Sequence, residues 1–474
     1  MLNLFIFELG ICLAILIIFF LDIFLPTTKK SILGILSILF LITLLFLSNR
    51  FVITGTFFSQ SFVSDQFAIT LKQIFVISTI IVMLGSIAHA EDKLRGRDGE
   101  YYLLLLFSLL GMMIVVSSRE LLLLFVGFEL MSIPLYVLSA FSKDNQRSAE
   151  GAMKIFLFGT VSSALLLLGI GIFFAINGTT SWSPHFHFKG LNDPLGTLAL
   201  IVLLSGFGFK IAAFPFQFWV PDTYEGAPTP FVAFLSVAPK IAGFGIIYRF
   251  LFEALDPLIL KWTVYAFVIA AVTMVIGNLL ALPQRNVKRI LAYSGIAHIG
   301  YILLGLASGT KFGVEMSIFY FVAYLFSNMG AFLVAEAVNR STGNDDLDAY
   351  KNLSQRSPFL SLSMLLFLLS LGGIPFVIGF WAKLYIFLAA AQSGHFTLVI
   401  IGSILTVVAL FYYLNIARRM YIDKGHDEIK PIHLPFSLKL SIGICAVLVV
   451  FLGFYPKIIV SISERAISSF KMPL

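Results

Sequence analysis

Charge is what this chain has least of. Lysine, arginine, aspartate and glutamate make up 12% of its 474 residues, against 59% apolar residues and a mean hydropathy of +0.97. A soluble domain of this length cannot hide so much apolar surface, so lipid must solvate the bulk of the chain. Cysteine is scarcer still. Cys12 and Cys445 sit in apolar runs at opposite ends, with no CxxC, no cluster spacing and no obvious disulfide. Iron–sulfur ligands are therefore lacking, and a single mid-span histidine does not support a bis-histidine haem. No GxxxxGK[ST] loop is present, so ATP hydrolysis is not expected. The glycine-rich stretches "GIGIFF" (169–174) and "GFGFKI" (206–211) lie inside apolar runs and follow no soluble strand. They read as helix-packing glycines, not as a nucleotide site.

What the chain has in quantity is apolar runs of about 20 residues. They lie near 3–25, 31–48, 67–90, 101–117, 120–140, 148–177, 195–217, 228–250, 261–281, 286–308, 313–338, 357–392, 397–422 and 434–456. That predicts an all-α polytopic membrane protein with about fourteen transmembrane helices. No loop is long enough for a separate soluble domain, so 1–474 reads as a single integral membrane domain. The first run ends at Asp22–Pro26 without a small-residue cleavage site and reads as a retained helix. The formal charge of +7 reflects loop asymmetry more simply than nucleic-acid binding, and no nucleic-acid partner is expected. Loops carrying Lys30, Lys93, Arg147, Arg289, Arg340, Arg356 and Arg419 are nearly twice as basic as those carrying Arg50, Arg119, Arg249, Lys261 and Lys457. The first set should be cytoplasmic, with both termini on the external side.

A charge at mid-membrane costs about 2.5–3.5 kcal/mol on insertion scales. Glu8, Asp22, Lys72, His89, Lys154, Glu315 and Glu336 fall within a turn or two of a span end and are expected to anchor at the interface. Five groups lie too deep for that: Glu129 in "LLLLFVGFELMSIPLYVL", Lys210 in "SGFGFKIAAFPFQFW", Lys240 in "FLSVAPKIAGFGIIY", His298 in "AYSGIAHIGYILLGL" and Lys383 in "GGIPFVIGFWAKLYIFL". Glu129 paired with one lysine would only hold helices together. Three lysines against one central carboxylate leave at least one amine hydrated or neutral, and such a group is suited to carry a proton. His298 alone would read as a core hydrogen-bonder, but here it completes a row.

Two of these spans also carry helix breakers. Pro215 lacks a backbone N–H, which frees the carbonyl of Ile211 beside Lys210. In lipid such a carbonyl is tolerated only against protein or a water-filled cavity. Gly372, Gly373 and Pro375 interrupt the overlong run 357–392, two turns before Lys383. The broken spans are the seventh and the twelfth, an odd offset that reverses direction in the membrane. This predicts two inverted five-helix repeats, about 101–250 and 261–422, after three spans (3–90) and before a last one (434–456). Water reaching a titratable row from opposite faces suits lateral proton transfer. Moving one charge across 100 mV takes about 2.3 kcal/mol, so a gradient or a partner must drive it.

The stretch "FWVPDTYEGAPTPFVAFLSVAPKIAGFG" (Phe218–Gly245), "RILAYSGIAHIGYILLG" and "GGIPFVIGFWAKLYIF" resemble blocks of the subunit N family of respiratory complex I, the NADH-quinone oxidoreductase. The resemblance runs from about the fourth span to the thirteenth. Subunits L and M and the multisubunit cation/proton antiporters typically carry a histidine version of the loop before APTP; Asp222-Thr223-Tyr224-Glu225-Gly226 favours subunit N. The long lateral C-terminal helix of subunit L is absent. The resemblance implies a translocase subunit that pumps protons while other subunits pass electrons from NADH to quinone. It makes Glu129 the partner that pairs with and tunes Lys210, Lys240 a connecting lysine, His298 part of a hydrated axis, and Lys383 the lysine nearest the external exit. It places no cofactor in this chain and puts NADH, FMN, iron–sulfur clusters and quinone in partner subunits. The implied partners are antiporter-like and small membrane subunits in a bacterial inner membrane. Phe376 stands where the family often has a second proline after GIP. A subunit of a cation/proton antiporter without redox partners is the alternative, and a purely structural scaffold a third reading.

Overall fold

The computed structural model describes residues 2–26, 30–94, 96–182, 188, 193–255, 258–423, 431–468 and 470. Of the loop charges weighed for orientation, Lys29, Arg95, Lys189, Lys424, Lys430 and Lys471 lie outside the described residues. The apolar runs fold as helices because backbone groups in lipid must bond within their own segment. In chain order these are α1 (Ile6–Phe24), α2 (Ser31–Phe51), α3 (Gln66–Lys93), α4 (Asp98–Ser117), α5 (Leu121–Ser139), α6 (Gln146–Asn177) and α7 (Pro194–Ile211). Short helices α8 (Trp219–Gly226) and α9 (Thr229–Leu235) follow, then α10 (Ala238–Arg249), α11 (Ile259–Ala281), α12 (Val287–Ala307) and α13 (Lys311–Thr342). The chain closes with α14 (Leu353–Arg356), α15 (Pro358–Gly372), α16 (Ile378–Gln392), α17 (Phe396–Tyr421), α18 (Phe436–Phe454) and α19 (Lys457–Ile467).

Side chains at the boundaries set the helix ends. Asp65, Asn145, Asn286 and Thr310 cap α3, α6, α12 and α13 by accepting backbone N–H bonds. Gly178 and Gly343 end α6 and α13 in left-handed conformation. Among the described residues, 13 helical stretches are long and apolar enough to cross a membrane. One of them, Thr229–Ala254, joins α9, α10 and a terminal π-turn. The half-length helices α15 and α16 together account for the remaining run, 357–392.

Burial orders the bundle. The crossings Thr229–Ala254 and Lys311–Thr342 are wholly enclosed and Val287–Ala307 nearly so, whereas α1, α2, α6, α11 and α17 turn much of their surface outward. The helices that carry Lys240 and His298 are thus, with α13, the innermost. α11 lies along α12 at backbone contact: a Cβ on Gly277 would come within 2.4 Å of the Ala297 nitrogen, next to His298.

Three features depart from the sequence reading. A two-stranded antiparallel hairpin, β1 (Gly55–Phe57) with β2 (Phe62–Ser64), interrupts the all-α pattern and pairs Thr56 with Val63. Helix α19 follows the last crossing and packs on α3 and α13. Four of the expected interface anchors point inward instead. Lys72 and Glu8 pair at 2.6 Å between α3 and α1, and His89 pairs with Glu336 at 2.8 Å between α3 and α13, all four buried. Proximity to a span end let them reach water in principle, but a partner on a facing helix offered a shorter route to neutralisation.

Candidate functional site

The site begins at α5, α6 and α7. Lys210 is buried near the end of α7, and its Nζ donates to Ser132 Oγ of α5 at 2.7 Å. Glu129, one turn before Ser132, is half-buried and accepts from Ser163 Oγ of α6 at 2.5 Å. No ion pair joins Glu129 to Lys210 among the described residues; the expected pair is replaced by a lysine and a carboxylate each bonded to a serine. The ammonium also lies 5.4 Å from the Phe128 ring centre, a contact that favours the charged amine.

Helix α7 ends in a left-handed Ala212, whose N–H bonds Phe209 O at 3.0 Å while Ala213 N–H bonds Gly208 O at 3.1 Å. The second break repeats that pattern. Gly373 is left-handed, its N–H bonds Ser370 O at 3.0 Å, and Ile374 N–H bonds Leu369 O at 3.0 Å. Both are Schellman-type ends that satisfy the last carbonyls. Pro215 therefore does not itself stop α7; the left-handed turn three residues earlier does. At the second break a freed carbonyl does meet a lysine, since Lys383 Nζ donates to Gly372 O at 3.3 Å. Phe376 also sits at positive φ (76°) and is exposed, where the family often has proline.

A third break, unforeseen in the sequence, precedes Lys240. Ser236 and Val237 separate α9 from α10, and Pro239 removes the N–H that would have continued the helix. Among the described residues, Lys240 Nζ is buried without a protein hydrogen-bond partner, 5.5 Å from the Tyr224 ring centre. Gly295 of α12 leaves room for it: a Cβ there would lie 3.6 Å from Lys240 Nζ and 2.8 Å from Tyr324 Oη.

His298 is held by two tyrosines, Nδ1 to Tyr320 Oη at 2.7 Å and Nε2 to Tyr413 Oη at 3.2 Å. Tyr413 Oη also meets Ser294 Oγ at 2.5 Å. Which ring nitrogen donates is set by the tyrosine hydroxyls, each able to donate or accept. The Tyr324 ring lies 5.2 Å from His298 on the Lys240 side, and Tyr301 lies 5.9 Å away on the Lys383 side. Lys383 Nζ in turn sits 4.8 Å from the Tyr301 ring centre. A cavity of about 10 Å³ opens beside His298, lined by Tyr320, Tyr324, Ser327, Ser370 and Gly379. That is about the smallest space that admits one water.

Chemically, the arrangement is a buried line of amines and one imidazole with hydroxyls beside it that both donate and accept, which suits stepwise proton transfer. The sequence reading missed the hydroxyl groups. Their spacing was visible: Ser132 lies three residues after Glu129, Tyr301 three after His298, and Tyr320 and Tyr324 four apart on α13.

Charge networks brace the ends of the helices around this line. At one end Asp222 of α8 takes Lys154 at 2.6 Å and Arg289 at 2.6 Å, and Glu225 takes Arg289 at 2.8 Å and Arg147 at 3.0 Å. The signature DTYEG thus ties α6, α8 and α12 together. Burial works to raise the Asp222 carboxyl, but its bonds to Lys154 and Arg289 hold it below the usual carboxylate range. At the other end Arg249, fully buried, bonds Asp65 twice (2.9 and 3.0 Å) and Glu253 at 2.9 Å. Arg119 holds Glu253 by two further bonds of 2.8 Å.

Comparison with known proteins gives a consistent match. Residues 118–409 fit the family described as NADH:quinone oxidoreductase/Mrp antiporter, transmembrane. The NADH-quinone oxidoreductase subunit N of Heliobacterium modesticaldum is 40% identical over 414 residues, covering 87% of each chain. A chain of respiratory complex I from Thermus thermophilus superposes with a TM-score of 0.81 at 29% identity, covering 97% of this chain and 99% of that one. A chain of the Mrp complex from Dietzia sp. reaches a TM-score of 0.86 at 20% identity, covering 99% and 98%, a likeness of fold alone.

Proposed function

Because this chain belongs to the subunit N family of NADH-quinone oxidoreductase, whose members are proton-pumping membrane subunits of complex I, we propose a route by which the proton crosses it. The chain is a multi-pass subunit of a multisubunit oxidoreductase and translocase. In this reading a signal from partner subunits changes the electrostatic tie between Glu129 and Lys210 across the Ser132 and Ser163 bonds. Lys210 then passes its proton through Lys240 and His298 to Lys383 and out. The hydroxyls of Tyr320, Tyr324 and Tyr413 and water in the cavity beside His298 carry the intermediate hops. The observation that carries this is the buried line from Lys210 to Lys383, each group close to a helix break or a hydroxyl.

The matched Schellman ends at Ala212 and Gly373 support two inverted repeats, 101–250 and 261–422, within one membrane domain that spans 1–474. The breaks, including Pro215, Gly372, Gly373 and Pro375, give water access from opposite faces. Flavin, iron–sulfur clusters, NADH and quinone sites belong to partner subunits. The neighbours are other membrane subunits of complex I, antiporter-like and small. The complex resides in a bacterial inner membrane with both termini of this chain external. Isolation of the complex through a tag on this chain tests the assignment. Flavin and iron–sulfur clusters are expected to co-purify; an assembly without them would place the chain in a cation/proton antiporter.

A further inference from the structure

The His89–Glu336 pair is a buried titratable site that the route above does not use. We propose that it is a proton-loading pair at the cytoplasmic end of the central helices, supplying the row at Lys240; the proposal rests on the proton-transfer reading above. His89 Nδ1 and Glu336 Oε1 lie 2.8 Å apart, and both residues are buried. One turn further along the same two helices, Arg340 pairs with Asp92, whose side chain is 53% exposed. The buried pair therefore sits directly beneath a pair that water reaches.

Among the described residues, His89 Nε2 is buried with no protein partner. Buried polar atoms are rarely left unbonded, and an orphan of this kind marks a place for water. The same holds for a set of atoms along the way to the row: Asn328 Oδ1 and Tyr324 Oη on α13, Tyr224 Oη on α8 and Lys240 Nζ on α10. Glu336, Phe332, Asn328 and Tyr324 recur every four residues, so each neighbours the next along a stripe that winds about 40° per step around α13. Asn328 Nδ2 donates to Ser236 Oγ at 2.8 Å, in the break just before Lys240. From Glu336 to Asn328 is about 12 Å along the helix. Phe332 lies between them and packs on Tyr224 with ring centres 5.8 Å apart. Unbonded polar atoms on both sides of one aromatic contact describe a path that water closes and opens by displacing that contact.

Titratable and charged groups face the pair from α3, α4 and α12. Lys93 from α3 and Lys288 from α12 attract the Glu336 carboxylate, Asp345 after α13 faces Lys288, and Tyr101 of α4 stands within electrostatic reach. In the step itself, one proton from cytoplasmic water binds the pair. When the Phe332–Tyr224 contact wets, that proton moves along water oriented by Asn328, and through the Tyr324 hydroxyl, to a neutral Lys240. The pair is left as it began, and no electron moves.

The test uses the intact complex in liposomes and the double variant His89→Asn, Glu336→Gln, which keeps a neutral hydrogen bond between α3 and α13 but no exchangeable charge. Protons pumped per electron should fall as far as in Lys210→Ala, and Glu336→Gln should remove one carboxyl C=O band from infrared difference spectra. If the double variant pumps as wild type while Lys210→Ala does not, the pair is structural and only this proposal falls. If Lys210→Ala also pumps normally, the row itself falls and takes the proposal with it. Should the double variant fail to assemble, Glu336→Gln alone is read in the same way.

Discussion

Arg249→Met asks whether the clamp beyond Lys240 fixes the helix that carries it. The guanidinium makes two bonds to Asp65, one to Glu253 and one to Val116 O at 3.1 Å, all in a fully buried position. Removing one partner of a buried pair costs about 3–5 kcal/mol, because the other charge is stranded. Arg119 continues to hold Glu253, so Asp65 is the stranded charge and the lower figure applies, about 3 kcal/mol. That is a shift of roughly a hundredfold in the folding equilibrium. The readouts are the fraction of complex assembled on native gels and its thermal midpoint in detergent. Asp65→Asn combined with Arg249→Met should recover much of the loss, since asparagine still caps α3 at Ala68 N–H. Burial works to raise the Asp65 carboxyl, but Arg249 overrides this and holds it below its ordinary value. The contribution is therefore complete above the ordinary carboxylate range and fades only as pH falls through the lower folded value. A single variant as stable as wild type, or a double variant no better than the single, would refute the clamp.

Other outcomes follow from the same structure. Tyr413→Phe removes the partner of His298 Nε2 and of Ser294 Oγ, so pumping should drop severalfold in a complex that still assembles, at about 1 kcal/mol per lost bond. Wild-type pumping would exclude Tyr413 from the route. Asp222→Asn should cost about 1 kcal/mol at neutral pH. Because the folded carboxyl is held low, the wild-type advantage exists above the ordinary carboxylate range and disappears as pH falls through the folded value; thermal midpoints across acid pH should converge for the two proteins. In Gly379→Ala a Cβ would come within 1.8 Å of Ser370 O, so α15 and α16 cannot keep their packing and assembly should fail on native gels.

The amount of this legible in the sequence follows from which physical force wrote it. Apolar length located the crossings, including the run 357–392 that resolves into α15 and α16, because the bilayer imposes length on every span. The deep position of Lys210, Lys240, His298 and Lys383 was equally plain, since no snorkelling distance could rescue them. Partner choice was not legible. Glu8, Lys72, His89 and Glu336 lie near span ends and read as anchors, yet each faces a helix far away in sequence. Ser132 escaped notice because a serine carries no hydropathy signal, and it takes the Lys210 bond where the family resemblance implied a Glu129–Lys210 pair. The break before Lys240 also escaped, because Pro239 falls inside the apolar run 228–250, which length alone reads as one unbroken crossing.

The central claim is that the buried line starting at Lys210 carries the proton. The most direct measurement is NADH-driven proton translocation per electron in liposomes, comparing wild-type complex with fully assembled Lys210→Ala. Fewer protons per electron are expected in the variant with its redox cofactors intact. An unchanged ratio in a completely assembled variant would contradict the claim.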